Sequence, residues 1–103
     1  MPNFVFAFHG GSMPDTPEES AKVMAEWGAW MEGMGSALVH PGAPVGKSST
    51  VSQSGVADDG GPNPISGFIV VEASDQNAAV EMAKGCPGLK TEATVEVAEM
   101  MQM

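Results

Sequence analysis

Apolar and polar positions alternate in short runs divided by glycine and proline clusters, and one longer stretch carries a helical repeat. Residues Asn3 to Phe8 place Phe4, Phe6 and Phe8 on one side of an extended segment and Val5 and Ala7 on the other. A run apolar on both faces predicts a covered first strand. Gly10-Gly11-Ser12 breaks it. Thr16-Pro17-Glu18-Glu19 then offers an N-cap, a proline at the first helical position and a glutamate at the third. Beyond it Val23, Met24, Trp27, Trp30, Met31 and Met34 recur at three- and four-residue spacing, while Glu18, Glu19, Lys22, Glu26 and Glu32 fall mostly elsewhere. The spacing predicts a helix that stops near Gly35.

Ser36 to Val45 contains Ala37-Leu38-Val39 followed by two prolines, and Thr50 to Val56 alternates polar with apolar, so a strand, a bend and a hairpin-like continuation are expected. Asp58 to Pro64 is a dense turn cluster. Ile65 to Ala73, rich in Ile, Val and Phe, is the plainest strand of the chain. Ser74 or Asp75 caps a second helix to about Lys84, with Gly85 as its stop and Pro87 beyond. Ala93 to Glu99 closes the set as a last strand. The order reads βαββαβ, which predicts an α+β, ferredoxin-like domain spanning residues 1–103, its two helices on one face of an antiparallel sheet.

Strand parity then divides the sheet. Gly67, Ile69, Val71, Val95 and Val97 meet the helices, which leaves Phe68, Val70, Glu72, Thr94 and Glu96 opposite. Phe68 and Val70, joined by one face of the first strand, form an apolar patch that soluble monomers avoid. A homodimer packed through this face is expected.

Composition narrows the partners. The chain has 103 residues, 13 acidic against 4 basic and a formal charge of −9, and every basic residue is a lysine. Without arginine the bidentate grip on phosphates and base edges is missing, so nucleic acid is not an expected partner. The acidity also disfavours an anionic membrane, and no apolar stretch approaches the roughly 20 residues that span one. The N-terminus lacks the basic and long apolar regions of a secretory signal, and one cysteine, Cys86, fits a reducing compartment, so a cytoplasmic protein is expected. Nine methionines read as flexible fillers of core gaps rather than as a copper site, since they cluster only at Met100, Met101 and Met103.

The segment Asp58-Asp59-Gly60-Gly61-Pro62 through Ser66-Gly67-Phe68-Ile69-Val70-Val71-Glu72 resembles the YCII-related, or DGPF-type, family of small dimeric α/β-barrel proteins. Ala78-Ala79-Val80-Glu81-Met82-Ala83, Cys86-Pro87 and Thr94-Val95-Glu96-Val97 extend the likeness to a second helix, its terminus and a last strand. The resemblance implies a ferredoxin-like dimer with a cleft near the first helix, and it matches Asp59 or its neighbour Asp58 to the family aspartate. Two features differ. The segment after the DGPF-like box is shortened to Gly61-Pro62-Asn63-Pro64, and the first helix carries Trp27 and Trp30 where some branches carry a histidine.

Several side chains have usable chemistry. Adjacent carboxylates hold a proton more tightly, which suits Asp59 to general acid/base work, although an aspartate in a turn also serves its own backbone. His9, before Gly10-Gly11, is a strand-end imidazole able to exchange protons near neutral pH or to rest at the surface. Trp27 and Trp30 are candidates for an apolar ligand wall or for the core. His40, Lys47, Ser48, Asp58 and Asn63 are candidate polar contacts to a small molecule. His9, His40, Asp58 and Asp59 lack metal-ligand spacing, and no metal, organic or redox cofactor is implied. Gly46-Lys47-Ser48 echoes the end of a P-loop, but Pro41 stands where the first glycine is required and the residues that follow read as extended. The expectation is a small-molecule protein with His9 and Asp59 as acid/base pair in a cleft between the first helix and the sheet. A non-catalytic metabolite-binding or interaction module is the alternative.

Overall fold

The computed structural model describes residues 1–12 and 15–102. Six strands and two α-helices follow in chain order: β1 (Asn3–Gly10), α1 (Pro17–Met34), β2 (Leu38–Pro44), β3 (Thr50–Ser52), β4 (Gly55–Ala57), β5 (Ile65–Glu72), α2 (Gln76–Ala83) and β6 (Ala93–Glu99). A short 3-10 turn at Gly35–Ala37 ends α1, and another at Pro87–Thr91 lies between α2 and β6. Four strands form an antiparallel sheet in the order β2-β5-β1-β6, the ferredoxin-like arrangement, with β1 and β5 central. Thr50 to Val56 does not extend this sheet. Gln53-Ser54 turns it back on itself, so β3 and β4 pair only with each other.

Local signals act as expected at both helix starts. Thr16 accepts the Glu19 N–H at 3.2 Å ahead of Pro17, and Asp75 accepts the Ala78 N–H at 2.8 Å. β2 is an edge strand in which Pro41 falls within a register irregularity with β5, between His40 and Ala43, and Pro44 is the last residue, positions where proline's missing N–H is tolerated. Gly42, at φ +59°, lies so close to β5 that a Cβ there would meet the Phe68 carbonyl oxygen at 1.7 Å. Only glycine fits.

The core lies between the helices and one sheet face. Phe4, Phe6, Ile69 and Val71 are fully buried there, with Phe8, Ala73, Ala79, Ala83 and Cys86 around them. Trp27 and Trp30 lean on it from α1: Trp27 meets Phe8 edge-on at 5.0 Å between centroids, and Trp30 stacks on Phe6 at 6.3 Å while its indole N–H donates to the Met82 carbonyl. Methionine meets expectation only in part. Met34 and Met82 pack half-buried against the core as fillers, but no described methionine is fully buried, and Met1, Met24, Met100 and Met101 are exposed, because phenylalanine and tryptophan rings already fill the interior. Met13 and Met103 lie outside the described residues.

Both helices cover one face, so the other face of the sheet is left bare by the chain itself. The Cα envelope is accordingly a slab of 43 × 42 × 18 Å, only two layers thick.

Candidate functional site

The bare face can be mapped from its register. One cross-strand row runs His40, Val70, Val5, Ala98, and the next runs Ala43, Phe68, Ala7, Glu96. His9 lies opposite Thr94 at the end of β1. The centre is thus apolar, with the two histidines of the chain at its margins. His40 packs its ring against Phe68 at 6.1 Å between centroids, and its Nδ1 accepts the Gly42 N–H at 2.9 Å, which puts the remaining ring proton on Nε2.

His9 is the most constrained polar group. Its side chain keeps 13% of its surface although no helix covers it. The register of β1 with β5 slips between Phe8 and His9, and this irregularity aims the ring at the turn that precedes β5. Nδ1 donates to the Asn63 carbonyl at 3.0 Å, with the Pro64 carbonyl at 3.3 Å. Nε2 lies 2.9 Å from Glu96 Oε1, whose side chain is 69% exposed. The imidazole is therefore fixed from both ends, between a backbone wall and a carboxylate that faces outward.

The turn that presents those carbonyls is itself organised. Asp59 accepts the Gly61 N–H on its carboxylate at 3.0 Å, and its own carbonyl accepts the Thr50 hydroxyl at 2.6 Å. Gly60 permits a close approach: a Cβ there would meet Pro64 Cβ at 2.6 Å and Ser48 Cβ at 2.8 Å. Lys47 pairs with Asp58 at 3.2 Å, both side chains mostly in solvent. Asp59, Ser48, Lys47 and Asp58 thus sit around one turn, and Asn63 carries that turn to His9.

The sequence matches the YCII-related domain over residues 5–103. The chain belongs to the YCII-related family. A structure of 5-chloro-2-hydroxyhydroquinone dehydrochlorinase from Burkholderia phenoliruptrix AC1100, in complex with 2,5-dihydroxybenzoquinone, matches this YCII-related chain with a TM-score of 0.56. The match covers 96% of this chain and 95% of that one at 14% identity, and establishes the shared fold. No curated protein matches the sequence.

Among the described residues, aromatic side chains occupy the space between the first helix and the sheet where a cleft is expected. Trp27 and Trp30 fill that space against Phe6 and Phe8, because two indoles on adjacent helical turns span the distance to the sheet. They also lie on the opposite side of the sheet from His9, so they cannot wall a pocket around it in one chain. Open grooves occur elsewhere, one of about 350 Å³ between α2 and β6 and one of about 370 Å³ between α1 and the Pro87–Thr91 turn. Among the described residues no three histidine, cysteine or carboxylate side chains converge as a metal site, and no helix is long and apolar enough to cross a membrane.

Glu96 is the residue that sequence reasoning missed as a partner of His9. Strand parity had placed it on the bare face, but only the pairing of β1 with β6 brings it diagonally beside His9. Cys86 stands apart from this site. Burial pushes its thiol above the ordinary cysteine value, and hydrogen bonds from the Gly88 and Leu89 backbone pull it part of the way back.

Proposed function

We propose that this YCII-related protein is a cytoplasmic homodimer that binds a small organic molecule on the bare sheet face and carries out acid/base chemistry, proton transfer or elimination, at His9. The observation that carries the reading is an imidazole held nearly out of solvent at the rim of an uncovered apolar face, fixed by the Asn63 and Pro64 carbonyls and Glu96. A second copy over Val5, Phe68 and Val70 removes water from that face and turns its rim into an enclosed site. Asp59 contributes through the turn, whose shape sets where the carbonyls meet His9. Lys47, Ser48, Asp58 and His40 supply polar contacts around the entrance, and Trp27 and Trp30 support the strand from behind.

The dehydrochlorinase of the same fold was captured with a quinone, which supports a small cyclic ligand as the class to screen first. A thermal-shift screen of hydroxylated aromatic and quinone compounds tests the proposal, with products followed by chromatography. A ligand that raises the melting temperature of the wild type, loses its effect in His9→Gln and is converted supports the reading. Undiminished conversion in His9→Gln and Asp59→Asn removes the acid/base assignment. The occupancy of both His9 ring nitrogens in the free chain favours a second reading, a metabolite-binding module without chemistry. That reading is supported by a melting shift with no product.

A further inference from the structure

We infer that the β3–β4 hairpin is an arm that packs Val51 and Val56 on the second copy of the chain; this deepens the homodimer of the functional reading and rests on it. A two-stranded ribbon is only marginally stable in water unless a further layer covers one face. Here β3 and β4 pair only with each other, and every residue of both strands is exposed. Side-chain hydrogen bonds fix the hairpin at both ends. The Thr50 hydroxyl donates to the Asp59 carbonyl at 2.6 Å at the base, and the Ser52 hydroxyl donates to the Gly55 carbonyl at 3.4 Å near the tip. Its apolar pair is uncovered. Val51 and Val56 stand directly opposite each other, so their side chains share one face, and they keep 76% and 72% of their surface.

Area points to a partner of the chain's own size. The solvent-accessible surface is 6959 Å² and the radius of gyration 14.8 Å, where a compact monomer of this length has about 5,500 Å² and about 13 Å. The excess of roughly 1,500 Å² is what each partner of a large, permanent dimer buries. The bare sheet face supplies only part of it. Four strands about 4.8 Å apart and about eight residues long, at about 3.4 Å each, present roughly 500 Å² in projection, below the roughly 800 Å² per partner of a standard interface. The hairpin adds a second apolar area. It leaves the sheet between Pro44 and Ile65, at the end of β1 that carries His9, and Val45 and Ile65 at its roots are exposed as well.

Charge favours a second copy as the occupant. Each chain has a formal charge of −9, so two copies repel wherever their carboxylates meet. Thr50 to Ala57 holds no ionisable residue, so a like-charged copy can meet the hairpin without that repulsion. A basic partner would be drawn to the acidic surface elsewhere and gains nothing from this segment.

Sedimentation equilibrium of the full chain tests the arm, with far-UV circular dichroism as the check on folding. A variant carrying both Val51→Ser and Val56→Ser should keep the wild-type spectrum and raise the dimer dissociation constant at least about tenfold, because two valines lose their burial. Met24→Ser, which changes a residue as exposed (71%) but on α1, should leave that constant within about twofold. In dimers mixed from isotope-labelled and unlabelled chains, the methyl protons of Val51 and Val56 should show nuclear Overhauser contacts to the partner. This measurement needs no substitution, so it decides the matter even where a variant fails to fold. A dimeric wild type whose dissociation constant the folded double variant leaves unchanged, or whose two valines contact only their own chain, overturns the arm and leaves the homodimer standing. A wild type that is monomeric at micromolar concentration overturns the homodimer itself, and the arm with it.

Discussion

The same substitution at two glycines should change stability in opposite directions. At Gly42 an added methyl would stand 1.7 Å from the Phe68 carbonyl oxygen and 2.6 Å from its carbon, both main-chain atoms that cannot move without parting β2 from β5. The backbone there is also left-handed, at φ +59°. An alanine in that region costs about 1–2 kcal/mol, and overpacking adds about 1–3 kcal/mol, so Gly42→Ala should lose roughly 2–5 kcal/mol. Domains are stable by only about 5–15 kcal/mol, which makes this a large fraction of the whole. Gly28 differs in every respect: it lies inside α1, is exposed, and has no atom within 4 Å of a built Cβ. Gly28→Ala should therefore gain about 0.5–1 kcal/mol by restricting the unfolded chain. Urea titrations of both variants and the wild type at one protein concentration read the two effects, with unchanged slope as the check that the transition is the same. A Gly42→Ala protein within about 0.5 kcal/mol of wild type would refute the steric argument, since surface changes alone are that small.

Phe6→Ala, which empties a fully buried site under Trp30, should cost about 3–5 kcal/mol in the same titration, and a loss near 1 kcal/mol would mean that the indole collapses into the space. Thr16→Ala removes the cap of α1 and should cost about 1 kcal/mol. Because the folded thiol of Cys86 has its pKa raised by burial, its contribution is complete below the unfolded cysteine value and fades as pH climbs through the folded one. Wild type should therefore lose stability relative to Cys86→Ala as solutions become alkaline, and parallel curves would contradict this. Val70→Asp, at the middle of the bare face, should shift sedimentation from dimer to monomer with the helical content kept; a wild type already monomeric at micromolar concentration would remove the proposed interface.

Local chemistry made much of the fold legible. Thr16-Pro17 and Asp75 begin helices because their side chains cap backbone within three residues, and such signals need no distant partner. Period-two alternation in β5 and β6 assigned Ile69, Val71, Val95 and Val97 to the helix side, where the structure has them. The hairpin-like continuation after β2 was legible, but its separation from the main sheet and the exposure of Met1, Met24, Met100 and Met101 were not, because each depends on what else competes for the core. Asp59 was legible as a turn residue, and its bond to the Gly61 N–H lies two residues away. Trp27 and Trp30 were legible as candidates for the core, and they pack against it beneath α1.

Sequence alone determined the element order, both caps and the two-faced character of the sheet, since these follow from neighbours along the chain. Tertiary structure alone decided that Glu96, not Asp59, stands against His9, and that the Asn63 and Pro64 carbonyls close its other side. Those contacts join residues more than fifty positions apart. Strand order and a one-residue slip in register set them, and neither leaves a trace in local periodicity.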